Sequence, residues 1–339
     1  MSEYVIDFAT KILNIDSPTG YCQEVIDVVK KEVESLGYQT SVNNKGNLLI
    51  YVDGQSDKTI GLCGHVDTLG LMVRSITDNG ELAFTNIGGP LIPTLDGEYC
   101  RIITRDHQVY TGTILSDYPA AHVYEDAKSA VRKCENMHIR IDEVVKSKDD
   151  VKALGINNGD YIAIDPKTTY TQSGFLKSRF LDDKLSVACL VTVLKELKEK
   201  KIVPNNNLVI IISTYEEVGH GSASIPGHIS ELIAVDMGCI GEDLACSEYD
   251  VSICAKDSSG PYDYEITSKF IELAKANNLD YAVDIYPFYG SDVSAALRGG
   301  NDIKGALIGP GVHASHGMER SHQQAIDNTI KLILAYLQA

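Results

Sequence analysis

The sequence predicts an α/β protein with a mostly parallel central sheet, helices on both faces of that sheet, and an inserted β-rich domain. Apolar runs alternate with amphipathic helical patterns near the N-terminus and again after Gly174, which is typical of parallel sheets covered by helices. Between these parts, short alternating runs separated by turn residues indicate antiparallel hairpins. We therefore expect an α/β domain formed by residues 1–70 and 167–339, interrupted by a β-rich domain at 71–166.

The first part of the chain begins with a helical pattern. Apolar residues recur with helical spacing and Gly37 is a typical helix stop, so helix is predicted over residues 1–37. Two short apolar runs of β character follow at 47–52 and 59–63. The second run leads almost directly into His65.

The inserted region consists mainly of predicted short antiparallel strands. Residues 78–80 (Asp-Asn-Gly) form a strong hairpin turn, and the runs 99–104 and 108–115 flank a second turn. Residues 159–165 predict one more strand, and 124–138 is compatible with a helix. This alternation of strands and turns predicts a small β-rich domain without βαβ units.

The α/β pattern returns after Gly174. The longest helix is predicted over 182–200, where apolar residues have helical spacing and the basic C-terminal end suits the helix dipole. The other predicted elements are strands at 207–214, 231–235 and 303–308 and helices at 268–277 and 321–337. These strands and helices complete the predicted α/β domain.

Composition argues against several classes of function. The formal net charge is −17 over 339 residues, and an acidic surface repels phosphate backbones, so no nucleic-acid partner is expected. The longest apolar stretch, 187–194, is too short to cross a bilayer and the N-terminus lacks a secretion signal, so no membrane partner is expected. None of the eight cysteines forms a C-x-x-C pair, which favours free thiols and a cytoplasmic location.

Side chains that bind metals follow several of the predicted strands. These residues are His65 and Asp67 after the strand at 59–63, Glu216 and Glu217 after 207–214, Asp236 after 231–235, and His316 after 303–308. Asp182 and Asp183 add two acids at the start of a helix. Because the carboxyl ends of parallel strands meet at one edge of a sheet, we expect these side chains to converge. Each motif alone has an ordinary structural explanation as a cap or a polar turn, but an acidic cluster would repel itself without a cation.

The converging residue types suit two zinc-like divalent ions per subunit, with cobalt or manganese as alternatives. Two metals about 3.5–4 Å apart need bridging ligands, and each must keep a position open for substrate. The predicted ligands are His65, Asp182, Glu217, Asp236 and His316. His316 has rivals in His313 and His322, so its assignment depends on the fold.

Two acids beside the predicted ligands have separate predicted roles. Glu216 is adjacent to a ligand but is not needed as one, and a carboxylate in that position can act as a general base. Asp67 lies two residues from His65 and can accept the second N–H of that imidazole, which fixes its tautomer. Glu216 and Asp67 are therefore the predicted catalytic residues.

Five motifs occur along the chain in the order GHVDTLGLMV, SRFLDDKLSVA, STYEEVGHGSA, AVDMG and SHGMERSH. Their order and spacing resemble those of the co-catalytic metallo-aminopeptidases of metallopeptidase family 42, and the resemblance covers nearly the whole chain. The resemblance implies a zinc-peptidase-like catalytic domain, an inserted dimerisation domain, and short peptides as substrates. It also implies a homo-oligomer, between a dimer and a dodecamer.

The same resemblance implies a role for each residue of the candidate site. The implied roles are terminal ligands of one metal for His65 and Asp236, terminal ligands of the other for Glu217 and His316, a bridge for Asp182, the general base for Glu216 and a supporting acid for Asp67. These roles agree with the ligand set and the general base predicted from the residue types alone.

Three positions next to the motifs depart from the family pattern. Thr68 stands where a Glu is common, and Lys184 and His220 stand where an Arg is common. None of the three is a predicted ligand, but they leave the preference for the N-terminal residue open. A preference for an acidic residue would need a basic group in the pocket, for which Lys184, Arg298 and Arg320 are candidates.

Two other functions are compatible with the residues. A two-metal carboxypeptidase or N-acyl amino-acid deacylase could use the same His-x-Asp and Glu-Glu pairs, although the insertion directly after the His-x-Asp-x-x-Gly motif that ends at Gly70 favours the aminopeptidase layout. A non-catalytic metal-binding scaffold belongs to a different class, and the presence of all five predicted ligands argues against it. Substrates with free and with blocked N-termini separate the first alternative from an aminopeptidase.

Overall fold

The computed structural model describes residues 2–339, and contacts divide the chain into two compact units. One unit extends to Asp67 and resumes from Lys167 to Ala339, and the other comprises Thr68–Pro166. Within residues 2–339, no helix combines the length and the apolar content needed to cross a lipid bilayer.

The α-helices and β-strands are numbered along the chain. The helices are α1 (Ser2–Leu13), α2 (Gln23–Ser35), α3 (Lys148–Ala153), α4 (Leu181–Glu199), α5 (Tyr264–Ala276), α6 (Asp292–Arg298) and α7 (Gln323–Leu337). The strands are β1 (Gln39–Val42), β2 (Leu48–Val52), β3 (Thr59–His65), β4 (Gly70–Ile76), β5 (Leu82–Ile87), β6 (Tyr99–Ile103), β7 (Val109–Ser116), β8 (Met137–Ile141), β9 (Tyr161–Ile164), β10 (Thr169–Tyr170), β11 (Phe175–Ser178), β12 (Asn207–Ser213), β13 (Ile229–Val235), β14 (Gly238–Cys239), β15 (Val251–Asp257), β16 (Gly260–Pro261), β17 (Tyr281–Ile285), β18 (Lys304–Val312) and β19 (Glu319–His322).

The larger unit is built on one mixed sheet. Its strands follow the order β1-β2-β12-β3-β13-β18-β15-β16, with β17 paired to β15 and β14 paired to β18. The central strands β12, β3, β13 and β18 are parallel to one another, whereas β2 and β15 join them antiparallel. Helices α4 and α6 pack against these central strands. The α/β fold class predicted from the sequence is therefore confirmed, with antiparallel strands at the margins of a parallel centre.

The predicted helix over residues 1–37 is in fact two helices, α1 and α2, separated by a short irregular segment. Pro18 lies in this segment, and the residue before a proline is driven away from helical geometry. Ser17 Oγ donates a hydrogen bond to the Val66 carbonyl at 2.7 Å, and Thr19 Oγ1 donates one to Asp67 Oδ2 at 2.7 Å. The interruption thus ties the N-terminal segment to the residues that follow β3.

The smaller unit, all of whose residues are described, is an antiparallel sheet that closes on itself in the order β4-β5-β8-β7-β6-β9. The stretch 124–138 is not an α-helix, because it contains only two short 3₁₀ turns before β8 begins. Neither turn has a buried residue, so no apolar face is available to stabilise a helix. Instead, the Arg132 guanidinium bonds the Ala127 and Ala130 carbonyls at 2.7 and 2.6 Å.

Candidate metal centre

The candidate site lies at the carboxyl ends of the central parallel strands. His65 is the last residue of β3 and is paired in register with Ser213, the last residue of β12. Asp236 follows β13 directly, and Glu216 and Glu217 lie in a 3₁₀ turn just after β12. The parallel register therefore brings side chains from three neighbouring strands to one edge of the sheet.

Asp182 enters this site from the start of α4. Both Asp182 and Asp183 have non-helical backbone angles, the peptide bond between them is cis, and the regular helix begins after them. Asp182 Oδ1 lies 3.1 Å from His65 Nε2, and Asp182 Oδ2 lies 3.7 Å from His316 Nε2. One carboxylate therefore faces two imidazoles, one with each oxygen.

The five predicted ligands form two groups that share this carboxylate. The His65 group is His65, Asp182 and Asp236, and the His316 group is Asp182, Glu217 and His316. Within each group, one ligand atom from every residue lies within 4.8 Å of the others. The fold brings His316 to the site rather than its rivals His313 and His322.

The donor set fits divalent cations. Glu217 Oε1 is buried and has no hydrogen-bond partner within residues 2–339, and Glu217 Oε2 lies 3.8 Å from His316 Nε2. Burial and the neighbouring Asp182 carboxylate raise the pKa of Glu217 well above its usual range and the pKa of Asp236 to about 7. Imidazole nitrogens and carboxylate oxygens arranged in this way suit zinc, and a cation would offset the repulsion among the acids.

Glu216 lies beside the two groups but belongs to neither. Its Oε2 is 3.7 Å from His65 Nε2. Burial, together with the carboxylates of Asp236 and Asp292, raises the pKa of Glu216 well above its usual range. Glu216 is therefore an acid beside His65 that is not part of either ligand group.

Asp67 organises both His65 and the Glu216–Glu217 turn. The Asp67 backbone carbonyl lies 2.9 Å from His65 Nδ1, whereas the carboxylate lies 3.5 Å away. Since a carbonyl can only accept, Nδ1 donates this hydrogen bond, and Nε2 is the ring nitrogen that faces Asp182 and the site. The carboxylate instead accepts the backbone N–H groups of Glu216 at 3.1 Å and Glu217 at 3.2 Å. Asp67 thus orients His65 mainly through its main chain and the acidic turn through its side chain.

Two buried acids at the site were not singled out from the sequence. Glu319 accepts the backbone N–H groups of His316 at 2.9 Å and Asp182 at 3.0 Å. Asp292 accepts the Ser213 hydroxyl at 2.5 Å and the Ser222 backbone N–H at 2.7 Å. Glu319 lies within the quoted motif SHGMERSH, but a single acid there carries no sign of which backbone groups it binds.

Lys184 and His220, which depart from the family pattern, and the candidate basic residues Arg298 and Arg320 differ in their surroundings. Lys184 is buried, and its Nζ donates to the Ile15 carbonyl at 2.6 Å. The Arg320 guanidinium lies 4.2 Å from the centre of the Phe175 ring, and Arg298 is exposed at the end of α6. The His220 ring stacks on Tyr215 at 5.0 Å.

Comparison with known proteins identifies relatives over nearly the full length. The model of the family described as M42 glutamyl aminopeptidase matches residues 46–332. The protein YhfE of Bacillus subtilis (strain 168) is 43% identical over 336 residues, which covers 98% of this chain and 97% of YhfE.

Solved structures share the fold at low sequence identity. The aminopeptidase APDkam598 from the archaeon Desulfurococcus kamchatkensis superposes with a TM-score of 0.89 at 21% identity, covering 99% of this chain and 95% of its own. The Pyrococcus horikoshii TET1 peptidase, which can assemble into a tetrahedron or a large octahedral shell, has a TM-score of 0.86 at 22% identity, covering 98% of this chain and 99% of its own. The chain belongs to the M42 glutamyl aminopeptidase family of peptide hydrolases.

Proposed function

We propose that the protein is a metal-dependent aminopeptidase that releases N-terminal residues from short peptides. One observation carries the proposal. Asp182 is shared by two groups of ligand residues, and Glu216 lies next to both groups without belonging to either. This arrangement provides two cation positions and a separate proton acceptor, which are the elements that two-metal hydrolysis of an amide requires.

The proposed ligand roles follow the two groups. His65 and Asp236 would hold one ion, Glu217 and His316 would hold the other, and Asp182 would contribute to both. Zinc is the proposed metal, with cobalt and manganese as alternatives, because the donors are imidazole nitrogens and carboxylate oxygens. When bound, such ions supply Lewis acidity to the scissile carbonyl and to the attacking water.

Glu216 is the proposed general base. The carboxylate takes a proton from the attacking water and delivers it to the nitrogen of the leaving amine, so that the peptide bond breaks without releasing an amide anion. Asp67 supports this step because its carboxylate binds the Glu216 backbone N–H. The acidic surroundings also favour a substrate with a positively charged α-amine.

The assembly and the location of the protein complete the proposal. We propose a homo-oligomer, between a dimer and a dodecamer, in which residues 71–166 act as the dimerisation domain and residues 1–70 and 167–339 carry catalysis. The tetrahedral or octahedral assembly of the TET1 peptidase supports an oligomer. All eight cysteines are free thiols, which supports the cytoplasm as the compartment.

Hydrolysis of aminoacyl p-nitroanilides by metal-stripped protein, with Zn²⁺, Co²⁺ or Mn²⁺ added back, tests the proposal. Glu216→Gln should reduce kcat by about 100- to 10,000-fold while two ions remain bound. Glu196→Gln is the control, because Glu196 lies about 18 Å along the regular part of α4 from Lys184, at 1.5 Å per residue. Full activity of Glu216→Gln, or faster hydrolysis of N-acetylated substrates than of free ones, would contradict the proposal.

A further inference from the structure

Glu319 connects two of the ligand residues through their main chains. Its side chain is 1% exposed at the start of β19. Oε1 accepts the His316 backbone N–H at 2.9 Å, and Oε2 accepts the Asp182 backbone N–H at 3.0 Å. Each oxygen of one carboxyl group therefore binds a different segment of the chain.

Both of these segments lack support from regular secondary structure. His316 has a φ of 63°, in the left-handed region that side chains other than glycine seldom adopt. It lies in the loop between His313 and Arg320, which are joined by an isolated β-bridge. Asp182 precedes the regular part of α4 with a ψ of 104°. Neither residue is held in place by a strand or a regular helix, in contrast with His65 at the end of β3.

We propose that Glu319 is a positioning residue, which fixes the distance and orientation between Asp182 and His316 so that the His316 group can hold its ion. This inference rests on the proposed function. Glu319 belongs to neither ligand group, so it acts through the two ligands that it binds.

The two hydrogen bonds of Glu319 are distributed unequally between the ion sites. Both bonded residues belong to the His316 group, whereas only Asp182 belongs to the His65 group. Loss of these hydrogen bonds should therefore reduce the affinity of the His316 group for its ion more than the affinity of the His65 group. Residues that orient metal ligands typically contribute 10- to 100-fold to metal affinity.

Glu319→Gln isolates this connection. Glutamine preserves the size and shape of the side chain but replaces one acceptor oxygen with an NH₂ group that can only donate. One of the two backbone N–H groups would then face another donor instead of an acceptor. The substitution therefore breaks the bond to His316 or the bond to Asp182 without opening a cavity.

Asp284→Asn is the matched control. Asp284 is also a buried carboxylate, 7% exposed, that accepts two backbone N–H groups, from Ala245 at 2.8 Å and Cys246 at 2.9 Å. It belongs to neither ligand group. The control therefore reproduces the chemical change and its effect on folding without touching a ligand.

The test is calorimetric titration of metal-stripped wild-type, Glu319→Gln and Asp284→Asn protein with Zn²⁺. The wild type should bind two ions, and Glu319→Gln should bind one ion with little change and the other about 10- to 100-fold more weakly. Asp284→Asn should bind both ions as the wild type does. Melting in excess chelator should show that both variants are folded.

The outcomes separate this inference from the proposed function. Two ions bound with wild-type affinity by Glu319→Gln, or equal weakening by Asp284→Asn, would overturn the positioning role alone. Fewer than two ions bound by the wild type would overturn the proposed function and this inference with it. If Glu319→Gln does not fold, Glu319→Asp, which keeps both acceptors on a shorter side chain, should show the same selective weakening.

Discussion

The candidate metal centre has a half that is supported by strands and a half that is supported by a loop. In the first half, His65 ends β3 and Asp236 follows β13 directly, and the His65 side chain is 1% exposed. In the second half, His316 lies in a loop with a left-handed backbone, and its side chain is 35% exposed. Asp182 belongs to both halves.

This difference shows where a binding site needs extra support. The parallel register places His65 opposite Ser213, and the His65 backbone N–H donates to the Asp183 carboxylate at 3.1 Å, so the sheet and a buried acid together position this ligand. No such register positions His316, and a buried carboxylate, Glu319, binds its backbone instead. The strand-supported half should therefore tolerate loss of the metal better than the loop-supported half.

Asp182→Ala should affect both halves at once. Because Asp182 is shared by the two ligand groups, we expect neither ion to bind tightly and activity to fall to background. Bound metal stabilises a folded protein by about 2.7 kcal/mol per site when the free ion is at 100 times its Kd. This stabilisation should also disappear in Asp182→Ala. Metal content by mass spectrometry and unfolding with and without Zn²⁺ measure these effects. Retention of one tightly bound ion would show that the two groups do not depend on a common ligand.

Removing each imidazole in turn compares the halves directly. In excess chelator, His65→Ala should cost about 1–3 kcal/mol of unfolding free energy, because it leaves the buried Asp67 carbonyl without its donor. His316→Ala should cost only about 0.5 kcal/mol or less, since its side chain is partly exposed. Urea unfolding measures both. Equal losses of unfolding free energy in the two variants would show that the two halves of the site do not differ in their support.

Substitutions at Gly221 test whether close packing against Asp292 helps to hold the Glu216–Glu217 turn in place. A Cβ at Gly221 would lie 2.4 Å from Asp292 Oδ1 and 2.7 Å from Ser213 Oγ. Gly221→Ala should therefore destabilise the protein by about 1–3 kcal/mol and lower kcat. Gly227→Ala is the control, because no atom lies within 4 Å of its added Cβ. Equal stability and kcat in the two variants would show that packing at Gly221 does not hold the turn in place.

His220→Ala should have the smallest effect. The ring stacks on Tyr215 at 5.0 Å, an arrangement worth about 0.5–1.5 kcal/mol, and His220 is exposed and belongs to neither ligand group. We expect a loss of stability within that range and no change in bound metal. Loss of an ion from His220→Ala would extend the site beyond the residues assigned to it.

The sequence predicts the strand-supported half more fully than the loop-supported half. An apolar run indicates a buried strand, and a metal-binding residue type directly after it lies at the carboxyl edge of a parallel sheet. For this reason His65 and Asp236 could be predicted to lie close together. The α/β class could be predicted for the same reason. For His316, spacing alone could not exclude His313 or His322, since no strand register reaches the loop.

Features that depend on tertiary contacts could not be predicted. Pro18 could have indicated the division of the first 37 residues into α1 and α2, but the bonds from Ser17 and Thr19 to residues after β3 depend on the tertiary fold. In the irregular stretch 124–138, the Arg132 guanidinium binds the distant Asp96 carboxylate at 2.9 Å as well as nearby carbonyls. The role of Glu319 depends on two backbone N–H groups that lie 137 and 3 residues from it along the chain.

From the proposed function, we expect two ions to bind on either side of Asp182. Anomalous diffraction from zinc-loaded crystals measures this directly. We expect two peaks about 3.5–4 Å apart, with one Asp182 oxygen at each peak, His65 and Asp236 at the first, and Glu217 and His316 at the second. A single peak, or two peaks without Asp182 between them, would contradict this expectation.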